Sequence, residues 1–180
     1  MKELDSLKVV RILLVDDSLA FRRFVREILE CRRDFQVVGE ASDGFEAVRQ
    51  ATQLKPDLIL LDIGIPRLNG IAAARGIRQV VPGTKILFLT MNSDPDVVGA
   101  ALDTEAKGYV WKMDAASELW LAIEAVLRGQ QFLSSGVVGS WNGVHLTFTD
   151  SAESASVPLA ATISLAVNSN SSAYMHFGSS

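Results

Sequence analysis

Residues 58–62 read Leu58-Ile59-Leu60-Leu61-Asp62. Four apolar residues follow one another without alternation, and a carboxylate closes the run. A strand with one wet face would alternate apolar and polar residues. A continuous run this short is instead expected where a strand of a parallel sheet is covered on both faces. Similar runs lie on either side, at Ile12–Val15, Phe35–Val38, Ile86–Leu89 and Tyr109–Trp111. Between the runs the spacing is helical. Phe21, Phe24, Val25, Ile28 and Leu29 fall on one face of the first such stretch. Leu119, Ala122, Ile123 and Val126 do so in the last. Ser18, Asp43, Asp94 and Asp114 stand where N-caps are expected, and Pro95 suits a first helical turn. Residues 11–129 thus read as five βα units, an α/β domain with a five-stranded parallel sheet in the doubly wound order 2-1-3-4-5.

In such a sheet, ligands bind beyond the carboxyl ends of the strands. Asp16 and Asp17 follow the first run, Asp62 the third, Thr90 the fourth and Lys112 the fifth. Each has an ordinary explanation alone: a helix cap, a turn residue, β-propensity, a solvated charge. Together they put three mutually repelling carboxylates, a hydroxyl and an ammonium on one rim. That set is consistent with a hard cation, and Mg²⁺ prefers oxygen ligands shared with phosphate. A carboxylate beside Mg²⁺ can act as a nucleophile toward phosphorus. Asp62, on the expected central strand, is the best candidate phosphoacceptor. Asp16 and Asp17 fit metal binding, and Thr90 and Lys112 fit the phosphoryl oxygens.

The segments ILLVDDS, PDLILLDIGIPRLNG, ILFLT and KGYVWK resemble the receiver domain of two-component response regulators over roughly residues 9–130. VVGEASDGFEA and GQQFLS resemble the LuxR/NarL class in particular. The resemblance implies a flavodoxin-like fold and phosphotransfer from a histidine kinase or phosphotransfer protein to Asp62. It implies Asp17 as a direct Mg²⁺ ligand, Asp16 acting largely through water, and the backbone carbonyl of Gly64 as a further ligand. It also implies Thr90 and Tyr109 as the switch pair. Trp111 should share a strand face with Tyr109, and with Trp120 it suggests a face for a partner or a homodimer. Three positions depart from the class pattern. Met91 stands where a small residue is usual. Met113 follows Lys112 where proline is common, and Glu105 stands where glycine is common.

An aspartate-nucleophile phosphatase of the haloacid dehalogenase type would want a second Asp two residues after Asp62, where Gly64 stands. A dinucleotide-binding domain would want a glycine motif in place of DDSLAF. A receiver that works without phosphorylation is the other alternative. The expectation is therefore a signalling switch rather than a turnover enzyme.

The chain has 17 Lys+Arg and 21 Asp+Glu, a net charge of −4. The basic residues end at Arg128, and residues 129–180 contain only Asp150 and Glu153 as charged groups. Residues 131–180 therefore read as a separate Ser-rich tail, non-helical, with strands expected at Val144–Thr149 and Ala161–Val167. It lacks the helix-turn-helix signature usual after this class of receiver. No direct nucleic-acid binding is expected from this chain. The missing signature also fits a transcriptional regulator that has lost its output half by truncation or frameshift. The single cysteine, Cys31, rules out an internal disulfide. No uncharged apolar run reaches membrane-spanning length, and MKELDSLK carries no signal-like segment. A cytoplasmic setting is expected.

Overall fold

The computed structural model describes residues 9–139, 166–168 and 172–174. The chain divides into two compact units, residues 1–86 and 87–180.

The first unit contains β1 (Val10–Val15), α1 (Leu19–Glu30), β2 (Phe35–Ala41), α2 (Gly44–Leu54), β3 (Leu58–Leu61) and α3 (Gly70–Val80), and it ends within β4 (Lys85–Thr90). β1 pairs in parallel with both β2 and β3. Ile12 to Val15 lie opposite Leu58 to Leu61 without a slip. Toward β2 the register shifts by one residue between Ile12 and Leu13. Ile12, Leu13, Leu58, Ile59 and Leu61 are fully buried, as their unbroken apolar runs require. Three helices begin on side-chain caps. Ser18 Oγ accepts from the Phe21 N–H, Asp43 Oδ1 from Glu46, and Asn69 Oδ1 from Ala72. The Asn69 cap was not anticipated. The α1 stripe is narrower than its spacing suggests: Val25 and Leu29 are buried, whereas Phe24 stays exposed beside Phe21.

The second unit continues with α4 (Pro95–Leu102), β5 (Gly108–Trp111), a 3₁₀ turn (Lys112–Asp114) and α5 (Ala115–Leu127). Then come β6 (Phe132–Leu133) and α6 (Ser135–Gly139). β5 pairs in parallel with β4 and β6. Gly108 has no room for a side chain: a Cβ there would lie 2.3 Å from Leu87 Cδ1 and 2.7 Å from Val126 Cγ2. Leu119, Ala122, Ile123 and Val126 are buried along α5 as expected, with the half-buried Trp120 beside them.

Along the sheet the strand order is β2-β1-β3-β4-β5-β6, the expected flavodoxin-like order with one strand added at the edge. The expectation of a non-helical tail from residue 131 is corrected, because the short helix α6 occupies Ser135–Gly139 just after β6. Asp114 is corrected as well. It precedes α5 but makes no side-chain cap there, and its carboxylate instead accepts from the Gly136 N–H at 2.9 Å. Farther on, β7 (Ala166–Asn168) and β8 (Ser172–Tyr174) pair antiparallel, so the strand expected at Ala161–Val167 is described over its last two residues. The strand expected at Val144–Thr149 lies outside the described residues.

Candidate metal and phosphoryl site

The matched register of β1 and β3 carries past their ends. The Asp62 N–H donates to the Val15 carbonyl at 2.9 Å, and the Asp16 N–H to Ala41 at 3.1 Å. Asp16, Asp17 and Asp62 thereby come together, each offering a carboxylate oxygen within 4.8 Å of the others. Asp16 and Asp62 are buried, at 4% and 6% exposure, and Asp17 is exposed. Two buried carboxylates beside a third repel strongly in a region that water screens poorly. The set suits a hard divalent cation, with Asp17 on the open side.

The flanking loops are held from several directions. Asp16 Oδ1 accepts from the Ser18 N–H at 2.9 Å. The Arg22 guanidinium donates to the Asp16 carbonyl, and its Nε donates to Glu40 Oε2 at 2.8 Å. Arg26 reaches the other Glu40 oxygen, with Nε at 3.0 Å. Burial alone would raise the Glu40 carboxyl, but the bonds from Arg26 and Arg22 outweigh it and hold the group below its ordinary range. Beyond Asp62, the Gly64 N–H lies 3.3 Å from Asp62 Oδ1. Gly70 opens α3 directly against this segment. A Cβ on Gly70 would fall 2.1 Å from the Asp62 carbonyl oxygen, so only glycine fits. Gly44 at the start of α2 meets the loop in the same way, with the Leu68 carbonyl oxygen 2.0 Å from a built Cβ.

Thr90, Tyr109 and Lys112 belong to the second unit. Thr90 ends β4, is 2% exposed, and its Oγ1 accepts from the Asn92 N–H at 3.3 Å. Tyr109 is fully buried, with its ring centroid 6.2 Å from that of Phe88. Its hydroxyl donates to the Asn92 carbonyl at 2.9 Å. Trp111, on the same strand face, donates from Nε1 to the Met91 carbonyl at 3.2 Å. Lys112 is half-buried at the start of the 3₁₀ turn. Met91 and Met113 point into solvent at 57% and 65% exposure. Glu105 takes a left-handed φ of 63°, the conformation that favours glycine there.

The sequence reading missed Arg22, Arg67, Asn92 and Ser134. Ser134 is fully buried and its Oγ accepts from the Trp111 N–H at 2.9 Å. Arg22, Arg67 and Ser134 act on groups distant in sequence or on a backbone carbonyl, and Asn92 matters through its own carbonyl, which accepts from Tyr109.

The model of the response regulator receiver domain family matches residues 12–124. The chain belongs to this family. Among curated relatives, the transcriptional regulatory protein LiaR of Bacillus subtilis is 38% identical over 131 residues, which is 73% of this chain and 62% of LiaR. The solved structure of a LuxR-family two-component response regulator from Aurantimonas is 37% identical with a TM-score of 0.69. That match covers 73% of this chain and 94% of the other. The isolated receiver of RcsB from Salmonella enterica serovar Typhimurium, solved with the phosphomimetic BeF3-, is 27% identical with a TM-score of 0.68. That match covers 73% of this chain and 97% of the other. This chain spans 52–63% of the length of the first curated relatives it matches. It is thus the receiver domain of a two-component response regulator, a signalling domain similar to those of the LuxR/NarL class. None of its described helices is long and apolar enough to cross a membrane.

Proposed function

We propose that the receiver is a phosphorylation-controlled switch in which Asp62 is the phosphoacceptor. The juxtaposition of Asp16, Asp17 and Asp62 carboxylates at the ends of two adjacent strands carries the reading. Asp16, Asp17, Asp62 and the Gly64 carbonyl would hold Mg²⁺, which when bound offsets the negative charge gathered by the phosphoryl group. An Asp62 oxygen attacks the phosphorus of a phosphohistidine on a kinase or phosphotransfer protein. The P–O bond forms as the P–N bond breaks, and the imidazole nitrogen keeps the electron pair and takes a proton. Thr90 donates its hydroxyl, and Lys112 its ammonium, to the remaining phosphoryl oxygens. Rearrangement of Thr90 and Tyr109 then alters the face near α4, β5 and α5, where a target protein or a second copy binds. The receiver, residues 9–130 in this reading, acts in the cytoplasm through protein contacts and does not itself bind nucleic acid.

Treatment with acetyl phosphate and Mg²⁺ should add one phosphoryl group to the wild-type chain and none to Asp62→Asn, read by intact mass. Beryllofluoride should bind only with Mg²⁺ present. Modification that persists in Asp62→Asn, or Mg²⁺-independent beryllofluoride binding, would overturn the reading. A second reading makes the receiver the input part of a transcriptional regulator, and the names of its curated relatives favour it.

A further inference from the structure

We propose that Arg67 is a positioning residue for the metal and phosphoryl site, tying the loop after Asp62 to the first turn of α2. The inference rests on the Mg²⁺ and Asp62 reading above. Arg67 has a left-handed φ of 66°, unfavourable for any residue with a Cβ. An arginine held in this conformation carries that strain, which its side-chain contacts offset. Its Nη1 donates to Asp43 Oδ2 at 2.9 Å, and its guanidinium carbon lies 5.5 Å from the Phe45 ring centroid. Asp43 is 7% exposed and uses Oδ1 to cap α2, so its second oxygen needs a charged partner. The Glu46 N–H, working against burial, and the nearby Arg67 charge hold the Asp43 carboxyl below its usual range.

Arg67 also lies just before two points where backbone meets backbone. Leu68 lies against Gly44, and Gly70 against the Asp62 carbonyl. The Gly70 N–H donates to Ile63 at 3.0 Å, and Ile65 is buried. The segment from Ile63 to Gly70 is thus closed by contacts at its ends, with Arg67 as its side-chain tether. Gly64, whose carbonyl is the proposed Mg²⁺ ligand, lies inside that span. Loosening the tether gives the carbonyl more conformations and weakens cation binding without touching a carboxylate ligand. The Arg67 side chain is 66% exposed, so the effect should be modest, roughly two- to fivefold in Mg²⁺ affinity.

The test uses the full chain, titrated calorimetrically with MgCl₂, alongside thermal unfolding without metal. Arg67→Gly removes the tether but suits the left-handed backbone, so a purely structural role predicts unchanged Mg²⁺ affinity. The proposal instead expects a Tm close to wild type, relief of the backbone strain offsetting the lost ion pair, with a Kd for Mg²⁺ raised roughly two- to fivefold. Asp43→Asn, which can still cap α2, should raise the Kd similarly, and the double variant should add nothing to the larger single effect. Wild-type Mg²⁺ affinity in Arg67→Gly, or additive losses in the double variant, would overturn the role of Arg67. A wild-type chain that binds no Mg²⁺ would overturn the underlying reading of the site, and the role of Arg67 with it.

Discussion

The phenol of Tyr109 donates a 2.9 Å hydrogen bond to the carbonyl of Asn92, whose own N–H donates to Thr90 Oγ1. One residue thus bonds both members of the expected switch pair. Trp111 adds a parallel tether to Met91. Movement of Thr90 toward a phosphoryl group would therefore act on Tyr109 through the loop backbone as well as through vacated space.

Tyr109→Phe keeps the ring and deletes the bond to Asn92. It should cost about 0.5–1.5 kcal/mol, seen as a lower urea midpoint at unchanged slope. The change in tryptophan emission on adding beryllofluoride and Mg²⁺ should also shrink, because Trp111 is bonded to the same loop.

Asp62→Asn removes one of three mutually repelling charges. Without metal, the variant should unfold at a higher temperature than wild type. Saturating Mg²⁺ should reverse the order. At a hundredfold excess over Kd the cation stabilises the wild type by about 2.7 kcal/mol, and the variant should gain much less. Scanning calorimetry with and without MgCl₂ reads both effects.

Glu105→Gly should stabilise the chain. The left-handed φ of 63° costs a residue with a Cβ about 1–2 kcal/mol, while glycine loses about 0.5–1 kcal/mol in chain entropy. A net gain of about 0.5–1 kcal/mol in urea unfolding is expected.

Glu40, bonded by Arg22 and Arg26, should shape the acid side of the stability profile. Its folded pKa lies below the unfolded value, so the unfolded chain takes up protons first as pH falls. The contribution is full above the ordinary glutamate value of about 4.3 and disappears as pH drops through the lower folded value. Glu40→Gln should lower stability at neutral pH and flatten the loss below about pH 5. Asp43, shifted the same way, should leave a residual slope. Urea midpoints across that range test this.

The strands were legible because burial on both faces leaves an unbroken apolar run. Leu58–Leu61 matches its expected bounds. The carboxylates were legible because they end those runs, and Asp16, Asp17 and Asp62 do come together. What stayed hidden depends on reach across the fold. Asn69 is the exception, because its cap on α3 is local and was simply not among the expected caps. Asp114 looked like a cap, but Gly136 takes its carboxylate from 22 residues away. Phe24 kept helical phase with the α1 core, yet the neighbouring elements leave it uncovered. Periodicity reports a helix's phase and says nothing of how wide a face its neighbours cover.

The outer edge of β5 is closed by very little. Phe132 donates to Lys107 at 2.8 Å and Ser134 to Tyr109 at 2.9 Å, and the Ser134 hydroxyl takes the Trp111 N–H. A version of the chain shortened to end at Gln130 would bare those main-chain groups along a hydrophobic strand, the pattern that recruits strands from other molecules. Such a version should associate with itself as concentration rises, visible as growing mass in light scattering. A version ending at Gly139 should not. The two-residue strand and the Ser134 hydroxyl thus occupy main-chain groups that would otherwise lie open along that edge.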